Sequence, residues 1–408
     1  MTDPSPRAQD HAQRFECFLE DEVAPIERDL AAQDVGTPWQ PKLDDAGRMH
    51  PAVWEARRAV QRRAGALGLY APHMSPAAGG SGFGRVEMQH AAQAVYRRSG
   101  LGLGLAALAW TEGPSPASER FPPALRDRYL LPLVRGEITA AFANTEPGGG
   151  SDVLGMTTRA HRDGSDWIIE GHKGWITNAH FADVIQVTAV TAPGAGTRSL
   201  SMFVVDGRAT GLRRGIDNAT ILDDGLTGEL HFDRVRVPAE NLVGEPGDGF
   251  ALGMSYINWR RLDRGGMCAG WGEWLIERAV ERAHRRRSGG KPIGDYQAIQ
   301  HLIAQMDIDV YQARAASLVA QAELDRIGAF DIPLHPDAPR LISLVKAIND
   351  AAFFRVCDTA IQVHGAAGMA RGAPEEKLFR IARNLRIPAG TTEIQLNAIA
   401  RGLLRRTA

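Results

Sequence analysis

The chain has 408 residues, of which 44% are apolar, enough for two or three domains with buried cores and too many for a disordered chain. Its 47 lysines and arginines are balanced by 48 aspartates and glutamates, so no basic excess indicates a nucleic-acid partner. No run of 18 apolar residues occurs, and we therefore expect no membrane-spanning helix.

The cysteines and the first residues of the chain predict its compartment. Cys17, Cys268 and Cys357 lie far apart, and an odd, sparse set of cysteines predicts neither a disulfide framework nor a metal site. The N-terminus is polar and lacks the apolar segment of a secretory signal. These features predict a soluble, cytoplasmic protein.

Residues 1–136 are predicted to form an N-terminal helical domain. Phe15, Leu19 and Val23 recur at a spacing of four, as they would on one face of a helix. The glycine-rich residues 79–84 predict a loop, and a helical pattern resumes at residues 86–96.

Residues 137–245 are predicted to form a middle β-domain, either a barrel or a sandwich. The apolar periodicity shifts towards two, and strands are predicted at residues 184–190, 200–205 and 229–237. Pro238 ends the last of these strands, because proline cannot donate a hydrogen bond to a sheet.

Residues 246–408 are predicted to form a C-terminal bundle of four or five helices. One helix shows an apolar stripe that we expect to face the core, formed by Ile299, Leu302, Ile303, Met306 and Val310. Further helices are predicted at residues 341–363, 375–384 and 391–404. The chain is therefore expected to have an α+β fold with helices at both ends.

Two stretches of the middle segment carry the chemistry. Residues 142–152 run from an apolar strand into a glycine loop whose backbone can approach a ligand closely. Residues 173–178 place Trp175 and Thr177 two positions apart, on the same side of an extended strand. An aromatic plane beside a hydroxyl suits a flat heteroaromatic cofactor.

Together and in this order, the two stretches resemble the acyl-CoA dehydrogenase family of FAD enzymes, and the resemblance covers nearly the whole chain. It implies an N-terminal helical domain, a middle β-domain and a C-terminal bundle, with FAD bound between the last two. The cofactor contacts that it implies in the middle domain are Phe142, Asn144, Thr145, Gly150, Ser151, Trp175 and Thr177.

The resemblance also implies that a second subunit completes the FAD site. The residues implied to reach a flavin from the C-terminal segment are Arg286, Ser288, Gln297, Gln362, Gly365, Thr391 and Glu393. A guanidinium fork such as that of Arg286 suits a diphosphate. The sequence departs from the family at Gly289, where phenylalanine is usual, and at Ala366, where glycine is usual. His364 is expected to be a helix-end residue satisfied by carbonyl groups.

Both positions that hold the catalytic base in the family lack a carboxylate here. The family removes an α-proton with a carboxylate while the β-hydrogen leaves as hydride to the flavin. In many members the base is a glutamate just before a Gly-Thr pair, where this chain has Ala389. In others it precedes an arginine on a long helix, where this chain has Arg260 before Arg261. The backbone N–H of Ala389 is implied to remain as a donor to the thioester carbonyl.

Three interpretations of these departures stay open. In the first, another carboxylate is the base, either Asp263, one helical turn from Arg260, or Glu112, which precedes a loop near the implied acyl pocket. In the second, the protein is a flavin-dependent oxygenase or another specialised-metabolism enzyme that needs no strong base. In the third, it has lost redox chemistry and only binds a ligand.

The remaining expectations concern the substrate and the partners. Residues implied near the acyl thioester are Ser151, Tyr256, Trp259 and Arg261. Arg260 is expected to pair with Asp263, and the alternative is that it binds an anionic group of the substrate. Glu146 lies in a turn and is expected to accept hydrogen bonds from backbone N–H groups.

The implied partners are a thioester on coenzyme A or a carrier protein, an electron-accepting flavoprotein or O₂, and further copies of the chain in a homodimer or homotetramer.

Overall fold

The computed structural model describes residues 3–109, 112–331 and 333–405. Helices form both ends of the chain, and a β-sheet lies between them. The predicted domain boundaries fall in connecting segments, because the last N-terminal helix ends at Val134 and the first sheet strand begins at Ala140. Likewise, the last sheet strand ends at Val243, and the next helix begins at Gly249.

The N-terminal part is built from helices joined by short turns. Its elements are α1 (Pro6–Phe18), α2 (Ala24–Ala31), β1 (Gly36–Thr37), β2 (Gln40–Pro41), α3 (Pro51–Ala66), α4 (Arg85–Ser99), α5 (Pro123–Leu125) and α6 (Leu131–Val134). Phe15 and Val23 are buried, as their spacing predicts. The predicted glycine loop lies between α3 and α4. Gly80 is required there, because a Cβ atom would stand 2.1 Å from the carbonyl oxygen of Met74.

The middle part is one eight-stranded mixed sheet. Its strands are β3 (Ala140–Ala143), β4 (Arg159–Asp163), β5 (Asp166–Thr177), β6 (Val184–Val190), β7 (Leu200–Asp206), β8 (Leu212–Asp217), β9 (Thr227–Val237) and β10 (Leu242–Val243). The strand order is β10-β7-β6-β4-β5-β9-β8, and β3 pairs in parallel with β6. Alternate apolar residues such as Ile185, Phe203 and Leu230 are fully buried in the core of this sheet.

The C-terminal part is a helical bundle. Its elements are α7 (Gly249–Leu262), α8 (Arg264–Arg285), β11 (Arg287–Ser288), β12 (Lys291–Pro292), α9 (Gln297–Ile327), α10 (Ala338–His364), α11 (Ala366–Met369), α12 (Pro374–Leu385) and α13 (Thr392–Arg405). Within the described ranges, none of the helices combines the length and the apolar character needed to cross a bilayer.

The apolar stripe predicted on α9 is buried only in part. Met306 and Val310 are buried, whereas Ile299, Leu302 and Ile303 remain half-exposed. Ile303 lines a surface cavity between α8 and α9, where the two helices leave a gap. Leu302 and Ile303 nevertheless pack against the main core, so the predicted core-facing stripe is confirmed from Leu302 to Val310.

The three parts meet where α7 crosses the sheet. Gly253 of α7 lies over β3, since a Cβ atom there would stand 3.6 Å from the ring of Phe142 and 3.8 Å from Thr188. Close packing at this glycine brings the side chains of α7 next to the ends of β3 and β5. The connection between α12 and α13 then closes the other side of the same region.

Candidate functional site

A cavity of about 240 Å³ lies where the sheet, α7 and the α12–α13 connection meet. The predicted site residues that line it are Glu112, Phe142, Asn144, Thr145, Gly150, Trp175, Thr177, Tyr256, Arg260 and Ala389. These residues come from both halves of the chain. Residues more than 200 positions apart in the sequence therefore line the same cavity.

Trp175 forms an open aromatic surface of this wall. Its side chain is 56% exposed, and its backbone has a φ of 61°, a left-handed conformation that bulky residues rarely adopt. The register of β5 against β9 shifts between Lys173 and Ile176, so the strand bulges at Trp175. The expectation of a regular extended strand is wrong at this point, although Trp175 and Thr177 both face the cavity.

The glycine loop beside Trp175 is held by a buried ion pair. Glu146 accepts hydrogen bonds from the amides of Thr157 and Thr158 at 2.7 and 2.8 Å, and Lys173 lies 3.0 Å from its carboxylate. Burial opposes the charge of Glu146, but Lys173 and the donors of Thr157 and Thr158 lower its pKa to about 2. The predicted structural role of Glu146 is confirmed.

The loop itself stays accessible to a ligand. No atom lies within 4 Å of the positions that Cβ atoms would take at Gly148 and Gly149, and Ser151 is exposed at the end of the loop. Asn144, at the start of the loop, accepts a hydrogen bond from Thr188 at 2.7 Å, which fixes its side-chain amide. The loop therefore combines an open glycine segment with a rigid base.

Aromatic rings form the side of the cavity against α7. Phe142 and Tyr256 stack with ring centroids 4.1 Å apart. Trp259 lies behind Tyr256, stacks on His73 at 5.0 Å and is buried in core packing. Tyr256 thus lines the cavity, whereas Trp259 supports it from outside.

The turn at Ala389 closes the cavity opposite Trp175. Ala389 has a φ of 59°, and its carbonyl oxygen accepts a hydrogen bond from Nε of Arg261 at 2.7 Å. Gln395 donates to the carbonyl of Gly390 at 2.9 Å. Arg261 does not line the cavity, and its contact instead fixes the orientation of the Ala389 backbone.

The inner end of the cavity is charged. Arg57 and Glu112 form an ion pair with 2.5 Å between Nη2 and Oε1, and both side chains are buried. Arg260 and Arg264 also line the wall and are buried. Nε of Arg264 lies 3.4 Å from Oδ1 of the buried Asp350, whereas its Nη1 is buried and has no hydrogen-bond partner within the described part of the chain. A buried guanidinium with an unsatisfied N–H group indicates a place for a polar ligand.

Asp263 lies behind the wall. Its carboxylate is 3.5 Å from Nη1 of Arg260, so the predicted ion pair is present, and Asp263 is outside the set of residues that line the cavity. Burial lowers the pKa of Arg260, and Asp263 opposes that shift. Asp263 therefore neutralises the charge of Arg260 and is not positioned to reach a substrate in the cavity.

Sequence reasoning missed several charged residues of the wall, namely Arg57, Asp224, Arg264 and Lys377. Burial raises the pKa of Asp224, against the opposing amide of Leu226 and charge of Lys377. Burial, aided by the nearby Arg380, lowers the pKa of Lys377 to about 8. No local motif marks these residues, because each lies on an ordinary helix or turn and reaches the cavity only through the tertiary fold.

None of the C-terminal residues expected to reach a flavin is among the residues that line this cavity. Those that are exposed at the surface are Arg286, Ser288, Gln297, Gln362, Gly365 and Glu393. Thr391 is half-buried next to Gly390. His364 lies 2.9 Å from the carbonyl of Ala360 and 3.2 Å from Glu375, which confirms the helix-end role predicted for it.

Comparison with known proteins agrees with this architecture. The acyl-CoA dehydrogenase middle domain matches residues 141–235, and the acyl-CoA dehydrogenase C-terminal domain matches residues 247–404. The cyclohex-1-ene-1-carbonyl-CoA dehydrogenase of Geobacter metallireducens is 33% identical over 341 residues, 83% of this chain and 87% of that protein. The chain belongs to the acyl-CoA dehydrogenase family.

Other acyl-CoA dehydrogenases resemble the chain over different shares of its length. The glutaryl-CoA dehydrogenase of Desulfococcus multivorans is 34% identical over 275 residues, 66% of this chain and 68% of that protein. A solved glutaryl-coenzyme A dehydrogenase in complex with glutaryl-CoA has a TM-score of 0.81 at 27% identity, covering 99% of this chain and 96% of its own. The butyryl-CoA dehydrogenase of Megasphaera elsdenii has a TM-score of 0.82 at 25% identity, covering 99% of both chains.

As an acyl-CoA dehydrogenase family member, the protein is an FAD-dependent oxidoreductase acting on acyl thioesters. The predictions of family, fold class, enzyme class and cofactor are confirmed. The cavity wall also fits a flavin. Trp175 offers an open ring face, Thr177 a hydroxyl beside it, and Gly148 and Gly149 leave the loop backbone uncovered.

Proposed function

We propose that the protein catalyses α,β-dehydrogenation of an acyl thioester with FAD as hydride acceptor. One observation carries this proposal. The Trp175 and Thr177 face, the glycine loop and the Ala389 turn all open onto a single cavity. This reaction requires a flavin surface and a carbonyl-binding turn on the same cavity. The α-carbon of the bound thioester loses a proton while the adjacent β-carbon loses a hydride to the flavin.

The chain's own residues bind and orient the reactants. Trp175 and Thr177 would hold the flavin ring, and the loop at Gly150 and Ser151 would hold the phosphate side of the ligands. FAD, when bound, supplies the hydride acceptor. Arg261 fixes the Ala389 backbone, so that the Ala389 N–H can be directed at the thioester carbonyl and stabilise the charge that develops there.

A carboxylate of the cavity wall is proposed to take the α-proton. Among the described residues that line the cavity, the carboxylates are Glu112 and Asp224, and Asp263 is not one of them. Burial raises the pKa of Asp224, which makes it a stronger base, whereas Glu112 is held in an ion pair with Arg57. These contacts support Asp224 as the leading candidate, ahead of Glu112 and Asp263.

The charged inner wall favours an acyl group with a polar or anionic end. Arg260 and Arg264 lie on this wall with only 7% and 3% of their surfaces exposed. A purely hydrocarbon chain would leave Nη1 of Arg264 without a partner, which costs more than burying apolar surface against apolar surface. A second carboxylate or a hydroxyl on the acyl chain would satisfy it.

Anaerobic titration of the purified holoenzyme tests the proposal. The panel contains acyl-CoAs of matched length that end in a methyl, hydroxyl or carboxylate group, and we expect flavin bleaching to be fastest with the polar-ended members. Bleaching of none of them, together with substrate- or NAD(P)H-dependent oxygen uptake, would favour a flavin-dependent oxygenase. Protein that takes up no flavin would favour a ligand-binding role. The same panel on a carrier protein separates the two possible thioester carriers.

We also propose an electron acceptor and an oligomeric state for the protein. Reduced flavin in this family member needs an acceptor, and an electron-transferring flavoprotein is the proposed one, with O₂ as the alternative. The exposed positions of Arg286, Gln362 and Gly365 support a homodimer or homotetramer in which these residues reach a neighbour's FAD. A cytoplasmic location stays a prediction.

A further inference from the structure

Two histidines and a glutamate converge on the outer face of the sheet. His172 on β5 lies directly opposite His231 on β9 in the antiparallel register. Glu229 is two residues before His231 and therefore projects from the same face. Leu230 and Phe232, which alternate with them, are buried in the core on the other face. The three side chains thus form one surface cluster of polar groups.

The spacing of the ligand atoms fits a metal ion. Oε2 of Glu229 lies 3.1 Å from Nε2 of His172 and 3.4 Å from Nε2 of His231. The candidate ligand atoms of all three residues lie within 4.8 Å of one another. Around a tetrahedral ion with bonds of about 2.0–2.2 Å, neighbouring ligand atoms stand roughly 3.3–3.6 Å apart. The two distances from Oε2 of Glu229 are close to this spacing, and the two histidine nitrogens lie within 4.8 Å of each other.

The surroundings leave the cluster open for an ion. Nε2 of His172 is buried and makes no hydrogen bond in the described structure, despite its closeness to Glu229. On β8, Gly215 faces the cluster, and a Cβ atom there would stand 2.7 Å from Nε2 of His231. The imidazole rings stack with centroids 4.1 Å apart, and the Nε2 atoms of both rings lie within 3.4 Å of Oε2 of Glu229. Gly215 leaves room for the ring of His231, and Nε2 of His172 remains available to an ion.

We propose that His172, Glu229 and His231 bind a divalent transition-metal ion of the zinc type. Two imidazoles and one carboxylate complete three positions of a tetrahedral shell and leave the fourth to water. Nitrogen donors select zinc-type ions over Mg²⁺ and Ca²⁺, which prefer oxygen. The cysteine pattern predicts no metal site. The sequence does not reveal this histidine site, because histidines on separate strands come together only when the strands pair.

The proposed metal site is separate from the flavin cavity but lies beside the β5 bulge that carries Trp175. None of the three residues lines the cavity. His172 is three residues before Trp175, and Glu229 lies opposite the β5 bulge. An ion bound here would tie β5 to β9 at the base of that bulge. Its effect would therefore be on the stability of the sheet and on flavin retention.

Calorimetric titration of the chelator-treated, tag-free holoenzyme with Zn²⁺ tests this site. We expect saturable binding of one ion per chain, a higher melting temperature with Zn²⁺, and no such response to Mg²⁺. His172→Ala and Glu229→Gln should each weaken binding at least about tenfold. His161→Ala is the matched control, since His161 lies on the same sheet, 3.9 Å from Glu170, without a second histidine.

No saturable binding, or equal weakening by the His161 control, would overturn the proposal. Wild-type protein loaded with Cu²⁺ gives a second measurement that does not depend on the folding of a variant. Its electron paramagnetic resonance spectrum should show hyperfine coupling to two imidazole nitrogens. A spectrum without nitrogen coupling would contradict the site even if an ion binds elsewhere.

Discussion

At the scale of single residues, the identity of the proton acceptor is decided by what surrounds each carboxylate. Glu112 is buried against Arg57, Asp263 is paired with Arg260, and Asp224 faces Lys377 across the cavity wall. Nη2 of Arg57 lies 2.5 Å from Oε1 of Glu112, so this oxygen is already occupied by an ion pair. Burial raises the pKa of Asp224.

We therefore expect Asp224→Asn to slow anaerobic flavin bleaching by about 10²–10⁴, the usual cost of losing a general base. Glu112→Gln should affect the rate less, and Asp263→Asn should act mainly through Arg260. Stopped-flow bleaching with one saturating acyl-CoA measures all three, with bound-flavin absorbance as the control for folding. Full rates in both Asp224→Asn and Glu112→Gln would exclude the carboxylates of the described cavity wall.

The sequence predicts part of this wall and misses the rest for a physical reason. Trp175, Thr177 and Ala389 are found because they lie in contiguous stretches with a distinctive residue order. Arg57 and Asp224 belong to segments that show no such order, and only tertiary packing brings them to the cavity. Residues that act through distant contacts leave no local signal in one sequence.

At the scale of elements, β5 departs from regular geometry twice. Its register against β9 shifts near Gly171 and again before Ile176. The non-glycine residues with positive φ at these bulges are Arg234, on β9, and Trp175. A left-handed conformation costs a non-glycine residue roughly 1–2 kcal/mol. The side chain of Arg234 is exposed, but Trp175 lines the cavity, so only at Trp175 does the strained position present a ring to a ligand.

Glycine substitutions at the two bulges should separate strain from function. Trp175→Gly is expected to leave the melting temperature of the flavin-free protein unchanged or raised, while FAD affinity falls about tenfold with loss of the ring contact. Arg234→Gly should relieve similar strain with no change in FAD affinity. Thermal melts and flavin titrations check both variants. A cold-labile or unfolded Trp175→Gly apoprotein would instead show that the ring holds the strand in place.

The ion pair beneath the glycine loop makes a second prediction at this scale. Lys173 and Glu146 are both buried, and the pKa of Glu146 falls to about 2 from an ordinary 4.5. A lowered carboxyl pKa stabilises the fold above pH 4.5, and that contribution is lost as the pH falls from 4.5 towards 2. Lys173, whose pKa burial lowers to about 8 against the pull of Glu146, favours the fold increasingly as the pH rises above 8.

Glu146→Gln should therefore destabilise the protein by about 3–5 kcal/mol at neutral pH, because it leaves Lys173 buried without its counter-ion. The difference in the free energy of unfolding between the variant and the wild type should shrink as the pH approaches 2. Melting temperatures of both proteins between pH 2.5 and 7 measure this convergence. The double variant Glu146→Gln with Lys173→Met is the control, and it should recover much of the loss. A gap that stays constant with pH would mean that the pair contributes no charge-dependent stability.

At the scale of the whole molecule, the predicted flavin contacts divide into two groups. One group lines the cavity of its own chain, and the other lies at the surface of the C-terminal bundle. In the proposed oligomer, a second copy of the chain would bring these surface side chains to a flavin. The family resemblance implies this division, and each proposed site would then take residues from two chains.

Complementation between two defective subunits tests this arrangement directly. Arg286→Ala should weaken FAD binding by at least about tenfold through loss of a guanidinium–diphosphate contact. Arg285→Ala is the matched control, since Arg285 pairs with Glu281 on its own helix. When Arg286→Ala subunits are unfolded and refolded with Trp175→Gly subunits, each mixed pair gains one site with an intact Trp175 and an intact Arg286. The second site of that pair carries both defects. Flavin content should therefore rise to about half in mixed pairs, whereas sites built within one chain would show no recovery, because every chain would still carry one defect.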